Sequence, residues 1–198
     1  MARKYEQSVR AEKQQETRQR IVDAAIELHG TVGPATTTLS AVAERAGVQR
    51  NTLYRHFANE RTLLFACSSH WGAQHPVPAP DGWDDIADPV ERARHGLRVI
   101  YGYFEETEAM MTLVLRDAEV HDDVAEARDA WMQGFGPARD SLLRAWPSGA
   151  RRKRSAALVD VALSFRTWQT LVRGRGLSSR SAADLMADTL GAALDSKA

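Results

Sequence analysis

The chain has a single cysteine, Cys67, in 198 residues. One thiol excludes an internal disulfide and fits a reducing, cytoplasmic setting. No apolar run approaches the ~20 residues of a bilayer-spanning helix, and the polar opening MARKYEQSVRAEKQQETRQR is no secretory signal. No membrane partner is expected. An excess of either charge is missing too, with 26 Lys+Arg balancing 26 Asp+Glu. That balance does not exclude a nucleic-acid partner, because such affinity rests on local phosphate contacts. Residues 1–65 carry 10 basic and 7 acidic side chains, a net +3, and the remainder a net −3.

Catalytic signatures are absent as well. There is no H-E-x-x-H, no phosphate-binding Walker loop and no G-x-S-x-G. His121-Asp122-Asp123 offers ligand-type side chains, but neighbours on a helix point different ways, and aspartates suit a helix start. Gly134-Phe135-Gly136 has neither a preceding strand nor a third glycine, and Cys67 lies on an apolar helix face as a packing residue. The run Arg151-Arg152-Lys153-Arg154 reads as solvated surface. No metal, cofactor or enzymatic activity is expected.

What the chain does have is a stretch from Thr38 to Leu64, TLSAVAERAGVQRNTLYRHFANERTLL. Leu39, Val42, Ala43 and Ala46 recur at i, i+3, i+4 and i+7, the spacing of one apolar helix face. Thr38 can cap its start, and Gly47 allows the left-handed turn that ends it. Leu53 and Phe57 then face back onto that helix. Arg50, Asn51, Thr52, Tyr54, Arg55 and His56 are left pointing outward. Arg, Asn and Thr suit base edges, while Tyr, Arg and a helix N-terminus suit phosphates, so the second helix fits a major groove. On these roles Arg50, Asn51 and Arg55 read bases, and Thr52, Tyr54 and His56 hold backbone; Thr38 and Gln49 complete the candidate DNA-binding set.

The segment AGVQRNTLYRHFANERTLL resembles the recognition segment of the TetR family of transcriptional regulators. Ala46-Gly47-Val48, Thr52-Leu53-Tyr54 and His56-Phe57 carry the likeness, with Ile21, Ala24-Ala25, Leu28, Gly33 and Thr37-Thr38 upstream. Gln49, Asn51 and Glu60 depart from the residues common there. The resemblance implies a homodimer that binds a double-stranded DNA operator, a small-molecule effector cavity in the following region, and dimerisation through the last two helices.

The rest of the chain reads as helix throughout. Residues 1–16 lack an apolar period and are expected to form a flexible arm. Residues 17–65 form the helix-turn-helix head, and residues 66–198 a ligand-binding and dimerisation part. A fourth helix, capped by Asn59, runs through Leu63, Leu64, Cys67 and Trp71. Three of the seven prolines fall within His75–Trp83, which cannot be helical and separates the two parts. Asp88-Pro89-Val90-Glu91 starts a helix along Val90, Ala93, Leu97, Ile100, Tyr101 and Phe104. A short helix is expected around Met110–Leu115, another from Asp123 to Phe135, and a break at Gly134–Pro137. A continuous helix from Leu158 to Val172 follows. The last, capped by Ser181, runs through Leu185, Met186, Thr189 and Leu190.

The expected fold is therefore all-α, a three-helix head followed by a larger helical part. For an effector pocket the candidates are Tyr101, Phe104, Met111, Trp131, Phe135, Phe165, Arg166, Trp168 and Gln169, a lining that favours an apolar or aromatic molecule. His95 is a further polar candidate. For the dimer interface they are Leu158, Phe165, Leu185, Met186, Thr189 and Leu190. The resulting expectation is a ligand-responsive repressor on a pseudo-palindromic operator. Its rival is a helical small-molecule binder or adapter that keeps the head without binding DNA.

Overall fold

The computed structural model describes residues 2–146 and 152–195, with the side chains of 2–6, 152, 194 and 195 outside the description. The side chains of Arg3, Lys4 and Arg152, and the whole of Arg151, therefore lie outside it. Ten α-helices are described, with no strand among these residues: α1 Ala2–His29, α2 Leu39–Arg45, α3 Arg50–His56, α4 Glu60–Gln74 and α5 Pro89–Asp117; then α6 Asp122–Gln133, α7 Gly136–Arg144, α8 Arg152–Ala162, α9 Phe165–Gln169 and α10 Ser179–Asp195. They divide into two compact units, one of residues 1–76 and 109–131, the other of 77–108 and 132–198. That division cuts differently from a boundary at 65/66, because residues 109–131 pack with the head.

In the first unit α1 starts at Ala2, not near residue 17. Ala, Arg, Lys, Glu and Gln dominate the segment, and all are strong helix formers. Ser8 adds an i,i+4 hydrogen bond to Glu12 at 3.0 Å. Ile21, Val22 and Ala25 of α1 meet Leu39, Val42 and Ala43 of α2, Leu53 and Phe57 at α3, and Leu63 and Cys67 of α4 in one core. Thr38 Oγ1 accepts from the Ala41 amide, and Asn59 and Thr62 form a reciprocal cap at α4. Gly47 has φ +65°, the left-handed turn the sequence requires.

The second unit is built on the first part of α5. This helix runs unbroken to Asp117, so no separate helix forms around Met110. The intervening Glu105-Glu106-Thr107-Glu108-Ala109 contains no breaker. Asp88 caps its start, accepting from the Glu91 amide at 2.8 Å. Trp83 is buried against Gly96, where an added Cβ would stand 2.6 Å from the indole. Tyr101, Phe104, Phe135, Phe165 and Trp168 form a buried aromatic core, with Phe104–Phe165 and Phe165–Trp168 centroids 5.4 and 5.2 Å apart.

The helix expected from Leu158 to Val172 is in fact two. Ser164 adopts an extended conformation (ψ 130°) between α8 and α9, and Thr170–Gly174 continues as a π-helical turn. The break sends the two halves of the apolar pattern in different directions. Val161 becomes exposed while Phe165 and Trp168 enter the core. α10 begins three residues earlier than expected, because its cap is Ser178, whose hydroxyl accepts from the Ser181 amide.

Candidate DNA-binding surface and effector cavity

The turn at Gly47 sets α3 so that Leu53 is fully buried and the remainder of its surface is open. Gln49, Arg50, Asn51, Tyr54 and Arg55 are exposed, and Thr52 and His56 half-buried. Thr38 spends its hydroxyl on the cap of α2. The Arg50 guanidinium donates to the Tyr54 hydroxyl at 3.1 Å and lies 5.5 Å from its ring centroid. The two side chains therefore hold each other in place. Desolvation, and then the positive charges of Arg55 and Arg18, push the His56 pKa below its ordinary value. Arg18 of α1 stacks over the Phe57 ring at 4.8 Å. Glu60 is exposed in the first turn of α4, and its neighbour Arg61 is turned away to Asp123 and Glu126 of α6.

The second feature of this unit is a cavity of about 340 Å³. Its walls come from α1 (Ile26, His29), Pro34, α4 (Leu64 to Gly72), α5 (Met110, Met111, Val114) and α6 (Val124 to Trp131). The lining is apolar apart from His29, Ser68, Ser69 and Arg128. Arg128 is paired with Asp129 at 2.7 Å. His29 sits in the last turn of α1, where the helix dipole and Asp117 both favour its charged form, yet burial outweighs them and lowers its pKa to about 4. Burial likewise raises the Cys67 thiol to about 12, so it is no nucleophile at neutral pH.

Among the expected pocket residues, Met111 and Trp131 line this cavity. Tyr101, Phe104, Phe135, Phe165 and Trp168 are core of the other unit instead, Arg166 is exposed and Gln169 half-buried. The Tyr101 hydroxyl is already used, donating to the Ala162 carbonyl. His95 is exposed beside Trp83. The residues missed were His29 and the α4 face of Leu64, Ser68 and Trp71. The signal for them was α4 itself, which is apolar on more sides than its contact with the head requires. Of the expected dimer residues, Phe165 and Leu190 are buried within the chain, Leu158 and Met186 half-buried, and Leu185 and Thr189 exposed.

Residues 21–67 match the profile of the "Bacterial regulatory proteins, tetR family". The "Probable HTH-type transcriptional regulator ArpR" of Pseudomonas putida is 28% identical over 185 residues, covering 89% of this chain and 88% of that protein. Over its head, residues 21–67, the chain is similar to the TetR family. The HTH-type transcriptional regulator TtgR, also of Pseudomonas putida, is 33% identical over 122 residues, 59% of this chain and 58% of that one. Among solved structures, the transcriptional regulator FadR from Bacillus subtilis in complex with stearoyl-CoA shares the fold at 14% identity. Its TM-score is 0.65, with 87% of this chain and 96% of that chain covered. The head, α1 to α4, thus has the arrangement of a helix-turn-helix DNA-binding module, with α3 as its second helix.

Proposed function

We propose that the chain is an effector-responsive repressor that binds a pseudo-palindromic operator as a homodimer, with α3 of each head in a major groove. Arg50, Asn51 and Arg55 read base edges, while Gln49, Thr52, Tyr54 and His56 hold the backbone. The observation that carries the regulatory half is the identity of the cavity walls. They include α1 and α4, the two helices against which α2 and α3 are packed. A molecule that wedges the cavity open has to move a support of the reading helix, and so discriminates between DNA-binding and non-binding states. An apolar lining of this volume suits a small apolar or aromatic molecule. The dimer reading draws on α8 and α10, which leave Val161 and Leu185 about half exposed, at 52% and 46%.

The test is selection of bound sites from a random DNA pool at fixed salt, followed by operator titration with small aromatic compounds. An enriched two-fold symmetric site, released by at least one compound that binds the protein, is the expected result. Absence of any enriched site at low salt rejects operator binding.

A further inference from the structure

Asp117, the last residue of α5, is only 3% exposed, and its carboxylate is turned to the segment that leads into α2. Its Oδ2 accepts from the Ala35 amide at 2.9 Å and its Oδ1 from Arg116 Nε at 2.7 Å. Arg116 in turn donates through Nη2 to the Val32 carbonyl at 2.9 Å. Gly33 is required between these groups twice over. Its φ is +99°, and a Cβ there would run into Arg116 Nη2 and Asp117 Oδ2. The end of α5 thus grips the chain from Val32 to Ala35. A buried carboxylate is costly even when paired, and an apolar residue would avoid that cost, so its use here points to control of where the turn sits.

The chain has little slack beyond that grip. Pro34–Thr36 form a single 3₁₀ turn, Thr37 Oγ1 donates back to the Gly33 carbonyl at 2.8 Å, and Thr38 then caps α2. Leu39 and Val42 of α2 share one core with Leu53 of α3, so the two helices move together. On the other side of Asp117, Val114 lies one turn back along α5 and Met111 about two, and both line the cavity. Resting on the reading of this cavity as the effector site, we propose that Asp117 is a positioning residue for DNA binding. Its carboxylate ties the start of α2, and hence α3, to the same end of α5 that walls the cavity. An occupant that displaces Met111 or Val114 carries Asp117 with them and shifts the reading helix through α2. This route runs in addition to the supports given by α1 and α4.

The probe is N-phenyl-1-naphthylamine, a neutral apolar fluorophore, titrated into the full chain with and without saturating operator from the random-pool selection. In the unaltered chain the operator is expected to weaken probe binding about 5–150-fold, the reciprocal of what an occupant does to the operator. Asp117→Asn keeps the side chain's shape but leaves one acceptor oxygen where the Ala35 amide and Arg116 each had their own. In that variant the operator affinity without probe should fall about tenfold, with the competent fraction of protein unchanged. The operator should then weaken probe binding no more than about twofold. Gly33→Ala attacks the same contact from the turn and should produce the same pair of changes. A merely structural role predicts a smaller competent fraction, an unchanged operator affinity and the full effect of operator on the probe; that result in Asp117→Asn overturns the proposal. An unaltered chain that does not bind the probe, or binds it equally with and without operator, instead rejects the effector reading itself and the transmission through Asp117 with it.

Discussion

The Tyr101 hydroxyl donates to the carbonyl of Ala162, 2.9 Å away, at the last residue of α8. Both residues are fully buried. Because Ser164 leaves the helical conformation two residues later, the helix end exposes carbonyls that need partners from elsewhere, and Tyr101 supplies one. Burial also raises the pKa of this phenol well above its ordinary value, so it remains a donor at any physiological pH.

Tyr101→Phe keeps the ring and removes only that donor. It is expected to destabilise the chain by about 1–3 kcal/mol, the cost of stranding a buried carbonyl. Denaturant unfolding followed by circular dichroism measures it. An unchanged midpoint would mean that water or backbone relaxation takes the place of the hydroxyl.

Arg50 and Tyr54 touch in the DNA-free chain, so neither acts alone. Arg50→Ala should relax the preference at one position of each half-site, at roughly 1–3 kcal/mol for the preferred base. Tyr54→Phe should weaken all sites and also loosen that position, because the hydroxyl aims the guanidinium. A double-mutant cycle on operator affinity should show coupling of at least ~0.5 kcal/mol. Additive effects would dissociate the two roles.

The head was legible in the sequence because its signals are local. Thr38, Gly47 and Asn59 each act within a few residues of themselves, and the spacing of Leu53 and Phe57 fixes which face of α3 is free. The cavity was not legible, because its walls are brought together from positions as distant as Ile26 and Trp131. Aromatic content pointed to Phe104 and Trp168, yet large rings fill cores at least as readily as they line pockets. The break at Ser164 escaped notice for a related reason. No Gly or Pro marks it, and the partner that satisfies it, Tyr101, lies on another helix.

His29 also sets a pH dependence. Its folded pKa of about 4 lies below the unfolded value of 6.5, so between those values the unfolded chain binds more protons. Its stabilising contribution is complete above pH 6.5 and is lost as pH falls toward 4, by a total on the order of 3 kcal/mol. The stability of His29→Gln should therefore fall less steeply between pH 6.5 and 4 than that of the unaltered chain. Parallel slopes in urea unfolding across that window would contradict the assignment.

Arg61, in the first turn of α4, pairs with Asp123 and Glu126 of α6, and α6 forms one wall of the cavity. These pairs are solvent-exposed, so Arg61→Ala should barely change the melting temperature. What should change is the link between effector and operator, because α6 then moves without α4. The effector-induced drop in operator affinity is expected to shrink by roughly 2–30-fold, the range for residues that carry coupling. Operator titrations with and without saturating effector read it directly. A full response in Arg61→Ala would place the coupling in other contacts of α1 or α4.

Two substitutions on the C-terminal helices, alike in sequence, should behave differently. Phe165 is buried in the aromatic core at 5% exposure, so Phe165→Glu strands a charge there and is expected to unfold the second unit. Leu185 is 46% exposed on α10, with half-buried Met186 beside it. Leu185→Glu therefore costs the isolated chain little, and its effect should fall on assembly. The expected product is a folded monomer by light scattering, with a normal circular dichroism spectrum and operator affinity reduced to that of a single head. One head contacts too few base pairs for selectivity, and two are needed about one helical turn, ~34–36 Å, apart or further. A Leu185→Glu protein that remains dimeric would move the interface away from this face of α10.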